Sequence, residues 1–297
     1  MGDDGDTPQE MNFHSKKPSE IDLGKKDPVT TDSKIGSNPT DMHALQLKPL
    51  PSKAPVIFDV NKVKHLIQDD FSTWKLVEQG TWLFVFNCLR FISITIEKNL
   101  NVFGKLHTEG DPKVYGGIQG VFPDGDIDVW AQMNLNPEIR REWDKTYPKI
   151  KQLQVYSEKE DILYLELKLP FPFSNRDLVL SRYYLNSDNH AEEIERLGFP
   201  KTSRRRWVIM QHSVDLSEHP PHKGVERAEN YAVFTYEQDA QDPKMCYNKA
   251  VSIMELKGNI PVKMIQKSVG KSSLKQCAAF REAFFKNRQR WSQMIKK

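Results

Sequence analysis

Cysteine is scarce in this chain, with three among 297 residues, Cys88, Cys246 and Cys277. An odd, widely spaced set does not build a disulfide framework, so a reducing compartment, the cytosol, is the expected setting. Long apolar runs are equally scarce. The longest, Trp82–Ile96, is interrupted by Asn87 and Arg90, whereas a bilayer span needs about 20 mostly apolar residues. It is read as buried strand, or strand plus a short connector, and segment 82–91 receives no further role. Met1-Gly2-Asp3-Asp4 has neither a basic flank nor an apolar core, so no secretory signal is expected, and Asp6 stands where a myristoylation signal wants Ser or Thr. No G-x-S-x-G elbow and no phosphate-cradling glycine loop occur. His219-Pro220-Pro221-His222 reads as a loop rather than a metal site, and Arg204-Arg205-Arg206-Trp207 as a solvated strand edge rather than a nucleic-acid patch. No catalytic residue, metal or cofactor is expected, and the protein is read as not an enzyme.

What is present is an ordinary globular balance, 38% hydrophobic and 28% charged residues with a formal net charge of +3, enough for a sizeable core. Residues 1–55 are rich in Asp, Lys, Ser, Thr and Pro, and cannot bury enough surface to offset ordering entropy. They are expected to form a disordered tail ahead of one domain, 56–297. In that domain the apolar spacing predicts a helix from Asp59 or Asn61 to about Val77, then strands at 91–98 and 113–122. Two short helices follow, 126–133 capped by Asp124 and 137–146 with Asn136 as cap and Pro137 in its first turn. Strands are expected at 151–156, 164–169, 177–185, 205–215, 226–236 and 244–256, with a loop or short helix at 186–202. A long helix closes the chain from Pro261, bent near Gly270. Between Glu255 and Lys297 there are eleven Lys or Arg against two Glu, an excess of nine, so this last helix is apolar on one side and basic on the other. The order is that of an α+β fold.

The most informative stretch is Leu163–Tyr184, LYLELKLPFPFSNRDLVLSRYY. Leu163, Leu165, Leu167 and Leu169 alternate with Tyr164, Glu166 and Lys168, the period of a strand with one apolar face. Pro170 and Pro172 cannot join a hydrogen-bond ladder and mark a corner. The octet Pro170-Phe171-Pro172-Phe173-Ser174-Asn175-Arg176-Asp177 with these flanks resembles the corner of START domains, the lipid-transfer family of the steroidogenic acute regulatory protein, and in particular the phosphatidylcholine transfer branch.

That resemblance, covering about 56 to 291, implies a helix-grip fold, a curved antiparallel sheet around the carboxy-terminal helix with a lipid tunnel between them. It implies a soluble carrier of one phospholipid, phosphatidylcholine-like, held as a monomer in the cytoplasm and meeting membranes transiently through its basic last helix, with no nucleic-acid partner. By register with that branch, Arg140 is the arginine that meets the lipid phosphate and Asp144 the aspartate that steadies it. Of the aromatics that surround the choline, Tyr231 is kept, while Asn134, Leu165 and Leu178 stand at ring positions. A lipid-sensing module, or a carrier of a sterol or sphingolipid, therefore stays open. Val121, Leu165, Leu167, Leu178, Leu180, Val233, Ile265, Val269 and Phe284 are the expected lining or lid of the tunnel.

Overall fold

The computed structural model describes residues 58–72, 75–88, 91–104, 112–169, 171–258, 260 and 262–296, with side chains described outside 75–99, 102–104 and 262–271. The predicted tail, 1–55, lies outside the described residues. The first described stretch is a 3-10 turn at Val60–Lys62, its start capped by Asp59, whose side chain accepts from Asn61 N, followed by a single helical turn, α1 (Lys64–Ile67). The longer helix expected to reach Val77 does not form. Asp69 Oδ1 accepts from Phe71 N at 2.9 Å and Asp70 Oδ1 from Ser72 N at 2.9 Å, and Phe71 takes a left-handed φ of 65°. These local side-chain turns compete with helical hydrogen bonding and win.

The apolar run that follows is a hairpin, β1 (Lys75–Cys88) with β2 (Phe91–Gly104), and β3 (Lys113–Pro123) continues the sheet. Helices α2 (Ile127–Leu135) and α3 (Pro137–Trp143) come next. The cap of α2 is Asp126, not Asp124. Asp126 is extended and accepts from Asp128 N and Val129 N, while Asp124 sits at a φ of 56° at the end of β3. The cap of α3 is as expected, Asn136 accepting from Glu138 N and Ile139 N. Then follow β4 (Lys149–Ser157), β5 (Glu160–Leu167), β6 (Asn175–Asn186), α4 (Ser187–Arg196), β7 (Arg205–Ser213), β8 (Val225–Arg227), β9 (Glu229–Gln238), β10 (Met245–Glu255) and α5 (Val262–Ile295). The strands pair in the order β1-β2-β3-β10-β9-β7-β6-β5-β4, antiparallel throughout, with β8 added parallel to β6. This is the predicted α+β helix-grip arrangement, one large antiparallel sheet and a long closing helix.

Strand alternation sorts the side chains onto two faces, and both are covered. The inner face carries Ile118, Phe122, Ile209, Phe234, Tyr236 and Cys246, packed with Trp130, Trp143, Phe284 and Trp291 from α2, α3 and α5. The outer face carries Val208, Met210, Val233 and Val251 under Val63, Leu66, Ile67 and Phe71 of the amino-terminal stretch and Ile194 of α4. Phe71 lies so close to β3 that a Cβ at Gly117 would meet its ring at 2.3 Å. Covering the outer face explains why Tyr164 and Glu166, expected on a solvated side, are buried. Tyr164 packs with Ile162, Val179, Val214 and Leu216. Glu166 is paired with Lys149 at 2.7 Å, and that hydrogen bond holds its carboxyl below the usual range.

The three consecutive arginines are each tied to carboxylates: Arg204 to Glu237 at 3.3 Å, Arg205 to Asp188 at 2.6 Å and Asp128 at 2.9 Å, Arg206 to Glu237 at 2.5 Å. Their charge is spent internally. Among the described residues no helix is long and apolar enough to cross a membrane.

Candidate functional site

Helix α3 is short and one-sided. Ile139 and Trp143 turn into the core, Trp143 donating from Nε1 to Met133 O at 2.9 Å, and Arg140, the next position after Ile139, is carried inward with them. Arg140 is 8% exposed. Its Nε donates to Asp144 Oδ2 at 3.1 Å, one helical turn on, and its guanidinium carbon lies 5.1 Å from the centre of the Tyr147 ring. Asp144 is fixed in turn. Its Oδ1 accepts from Thr146 N at 3.2 Å, and both oxygens face Gln276 Nε2 of α5 at 3.4 Å. The terminal nitrogens of Arg140, Nη1 and Nη2, meet no acceptor among the described residues. A largely buried guanidinium with four of its five N–H donors unmet by described acceptors suits an incoming anion with paired oxygens.

A second buried arginine shows the contrast. Arg182 donates from Nε to Asp161 Oδ1 at 2.7 Å and from Nη2 to Asp161 Oδ2, and its remaining donors meet Asn134 O at 3.1 Å and Leu135 O at 3.0 Å. Asp161 also accepts from Gln152 Nε2 at 2.6 Å. This pair fastens the carboxyl end of α2 to the sheet and leaves nothing over for a ligand. The sequence reading missed it, although Asp161 and Arg182 share strand parity with Leu163 and Leu180, and a charge on an apolar parity is a signal.

Beside Arg140 stands an aliphatic wall. Leu163, Leu165, Leu167, Leu178 and Leu180 from β5 and β6 pack with Ile150, Leu256 and Tyr147. Burial pushes the Tyr147 hydroxyl up to about 12 against the nearby Arg140 charge, and burial alone pushes the Cys277 thiol up to about 12. Both residues nevertheless keep accessible surface. Burial also raises the Tyr236 hydroxyl, which accepts from Asn134 Nδ2, so the rings near Arg140 stay neutral. The carboxy-terminal half of α5 is tightly packed. Phe284 meets Trp130 edge-on at 5.8 Å and Phe280 meets Trp143 at 5.0 Å, and the pocket of about 20 Å³ lined by Trp130, Phe280 and Phe284 has room for about one water.

Of the expected lining residues, Leu165, Leu167, Leu178 and Leu180 come together on the inner face, and Phe284 sits in the packed part of the lid. Two others, Val121 and Val233, do not join them, and neither does Tyr231, expected at the headgroup. Val233 and Tyr231 belong to the outer face, Val233 beneath α1 and Tyr231 donating to Glu229 Oε2 at 3.2 Å, and Val121 shares their side because its neighbour Phe122 points inward. Tyr231 is thus separated from Arg140 by the sheet. Ile265 and Val269 fall within α5, with side chains outside the described residues.

The corner between β5 and β6 is a junction. Arg176, fully buried, donates from Nε to Leu256 O at 2.5 Å, from Nη2 to Lys257 O at 3.1 Å and from Nη1 to Ser174 O at 2.7 Å. Asp177 takes Arg227 Nε at 2.7 Å. The β5–β6 corner is therefore tied to the segment entering α5.

A large antiparallel sheet and a long closing helix, with Arg140 buried beside an aliphatic wall, define the class as an α+β helix-grip domain. The START domain family model matches residues 124–290, more than half of the chain, and the chain belongs to the START family. Two curated relatives are the phosphatidylcholine transfer proteins of Mus musculus, 28% identical over 119 residues, and of Rattus norvegicus, 27% identical over 122 residues. Each match covers 40% of this chain and 47% of the relative, so the chain spans about half the length of the curated relatives it matches. Among solved structures, human STARD10 superposes with a TM-score of 0.59 at 18% identity, covering 84% of this chain and 86% of that one. Human StAR-related lipid transfer protein 5 gives 0.56 at 14%, covering 77% and 94%. At these identities the likeness is one of fold. START domains bind lipids.

Proposed function

We propose that this chain is a carrier of a single glycerophospholipid, which it withdraws from one membrane, shields between sheet and α5, and releases at another. The observation that carries the reading is Arg140, buried, oriented by Asp144, and with both Nη groups free of described acceptors beside the leucine wall of β5 and β6. A phosphodiester supplies two oxygens for the guanidinium fork, and the acyl chains follow the leucines. The carrier's work is large. At about 0.8 kcal/mol per methylene, a two-chain lipid faces on the order of 20 kcal/mol to enter water.

The reading commits to the phosphate rather than to choline. An ammonium is held by several open ring faces. Asn134, Leu165 and Leu178 offer none, Tyr231 is on the other side of the sheet, and Tyr147 already lies beneath Arg140. Contact with the membrane is assigned to the basic side of α5, where the exposed Phe285 has Arg281 and Arg288 over its ring at 5.5 and 5.6 Å. Each basic residue near an anionic leaflet contributes about 1 kcal/mol, which suits transient docking. The protein is read as a cytosolic monomer, noncatalytic, with 1–55 as a tail outside the domain.

Native mass spectrometry after exposure to a mixed lipid extract tests this. The expected result is one phospholipid per chain, lost in Arg140→Ala and partly kept in Arg140→Lys, which preserves the charge but not the fork. Equal phospholipid occupancy in all three folded proteins overturns the assignment.

A further inference from the structure

Along the edge strand β4 lies a cleft of about 750 Å³, with Lys149, Lys151 and Tyr164 on the side of the sheet away from Arg140 and with Ile150 and Arg141 of α3 at its margin. One wall is β4 with Pro148 before it, and the other is the loop Glu218–Lys223. The loop is braced rather than loose. Arg227, paired with Asp177 at 2.7 Å, donates from Nη2 to His219 O at 2.8 Å. His219 N donates to Leu216 O at 3.0 Å, Val225 N to His222 O at 3.0 Å, and Pro220-Pro221 removes further backbone freedom. Tyr164 lies at the base, its ring edge-on to that of His222 at 6.1 Å, and its hydroxyl is buried with no hydrogen-bond partner.

The charge of this cleft is of one sign. Arg141, Lys149, Lys151 and Lys223 line it against a single carboxylate, Glu218. Lys149 is engaged by Glu166, and Arg141 donates from Nη1 to Ile150 O at 3.1 Å. Lys151 and Lys223 pair with no carboxylate among the described residues. Cations gathered in a concavity with low-dielectric walls focus their field into it. The volume lies in the range of about 300–1,000 Å³ typical of small-molecule sites. The exposed Lys151 and Lys223, with no carboxylate partner among the described residues, and Arg141 beside them offer donors to more than one negative group. Tyr164, buried at the base, leaves no open ring face on which a nucleobase would stack.

We propose that this cleft is a second ligand site, separate from the lipid hollow, for a compact molecule bearing two or more phosphate groups. Such a group is presented either by a free inositol polyphosphate or by the headgroup of a phosphoinositide in a membrane. In the second case the cleft selects the membrane at which the carrier works.

The test uses the full chain, with inositol trisphosphate as the soluble probe and phosphatidylcholine vesicles with or without a phosphatidylinositol bisphosphate as the membrane probe. Saturable trisphosphate binding by calorimetry is expected, weakened about tenfold or more by Lys151→Glu with Lys223→Glu. Both lysines are exposed, and Lys151→Gln with Lys223→Gln serves if the reversal disturbs folding. Phospholipid loading, followed separately by native mass spectrometry, stays unchanged in these variants, so failure here is distinct from failure of the carrier reading. Vesicle binding that requires the bisphosphate and is competed by trisphosphate identifies the headgroup as the source. Trisphosphate binding without any vesicle preference identifies the free molecule. The proposal is overturned by absence of binding to either probe, by undiminished binding in the lysine variants, or by loss of binding in Arg281→Glu with Arg288→Glu on α5 instead.

Discussion

Arg176 donates to the carbonyl oxygen of Leu256 at 2.5 Å across a separation of 80 residues. The contact joins the corner between β5 and β6 to the last residues before α5, so that one guanidinium holds the entry to the lid. Gly258 completes the joint. At a φ of 67° it occupies a conformation that favours glycine, and a Cβ there would meet Glu226 Oε2 at 2.3 Å and Arg176 Nη2 at 3.0 Å.

Arg176→Met is therefore expected to destabilise strongly. It strands the carbonyls of Leu256, Lys257 and Ser174, and each buried acceptor left unpaired costs about 1–3 kcal/mol. A loss of about 3 kcal/mol or more in urea unfolding is the expected outcome. Gly258→Ala should cost at least about 1 kcal/mol through backbone strain alone. Unchanged unfolding midpoints in both variants would show that the joint is not under tension.

Asp144→Asn tests whether Arg140 is held ready or merely packed. The substitution keeps shape and the Thr146 contact but removes the charge that aims the guanidinium. Phospholipid occupancy in exchange with vesicles should fall severalfold, with less effect on stability than Asp144→Ala, which leaves Arg140 buried without a partner. Equal occupancy in Asp144→Asn and the parent protein would make the pair structural only.

How far the sequence could be read follows from what alternation encodes. Period two in Leu163–Leu169 identified a strand and which residues share a side, and the four leucines it grouped are together on the inner face. It does not say which side is inner when both are covered. Val121 and Val233 look as apolar as Leu165, and the strand registers through β3, β10 and β9 turn both to the outer face, Val233 beneath the amino-terminal stretch. The Arg140–Asp144 pairing was legible because both fall within one helical turn behind an Asn-Pro start, whereas the role given to it came from the family resemblance. The Arg182–Asp161 pair and the Arg176 junction were not, since they join residues 21 and 80 positions apart, and single-sequence spacing carries no such information.

Phe171 offers a test of membrane contact that leaves the interior alone. It is 97% exposed at the tip of the corner, and substitution of a surface residue without partners changes stability by no more than about 0.5 kcal/mol. Phe171→Ser should keep the unfolding midpoint while slowing lipid transfer between vesicles severalfold. Transfer at the parental rate would leave membrane contact to the basic side of α5 alone.

The amino-terminal stretch is fastened by a histidine that has to remain neutral. His212 Nε2 accepts from Asp59 N at 3.1 Å, its Nδ1 lies 3.1 Å from Ser213 O, and Phe58 packs on its ring at 4.8 Å. An imidazolium has no lone pair for Asp59 N, so protonation breaks the clasp. Burial, mainly, and the nearby Lys62 charge hold the His212 pKa below its usual 6.5, against the opposing effects of the Ser213 carbonyl and Asp59. Because the folded value lies below the unfolded one, the unfolded chain takes up the proton first as pH falls. The contribution to stability is complete above about 6.5, the unfolded value, and is lost between there and the lower folded value. Stability is accordingly expected to decline from pH 7 toward pH 5.5, with hydrogen exchange in residues 58–67 rising over the same interval. His212→Gln, unable to titrate, should flatten that interval. The carboxylates held low by lysine partners, Glu166 and Glu229, lose their contribution only at more acidic pH, from the usual value of 4.5 down to their lower folded values. A decline between pH 7 and 5.5 that persists in His212→Gln would place the sensitive group elsewhere.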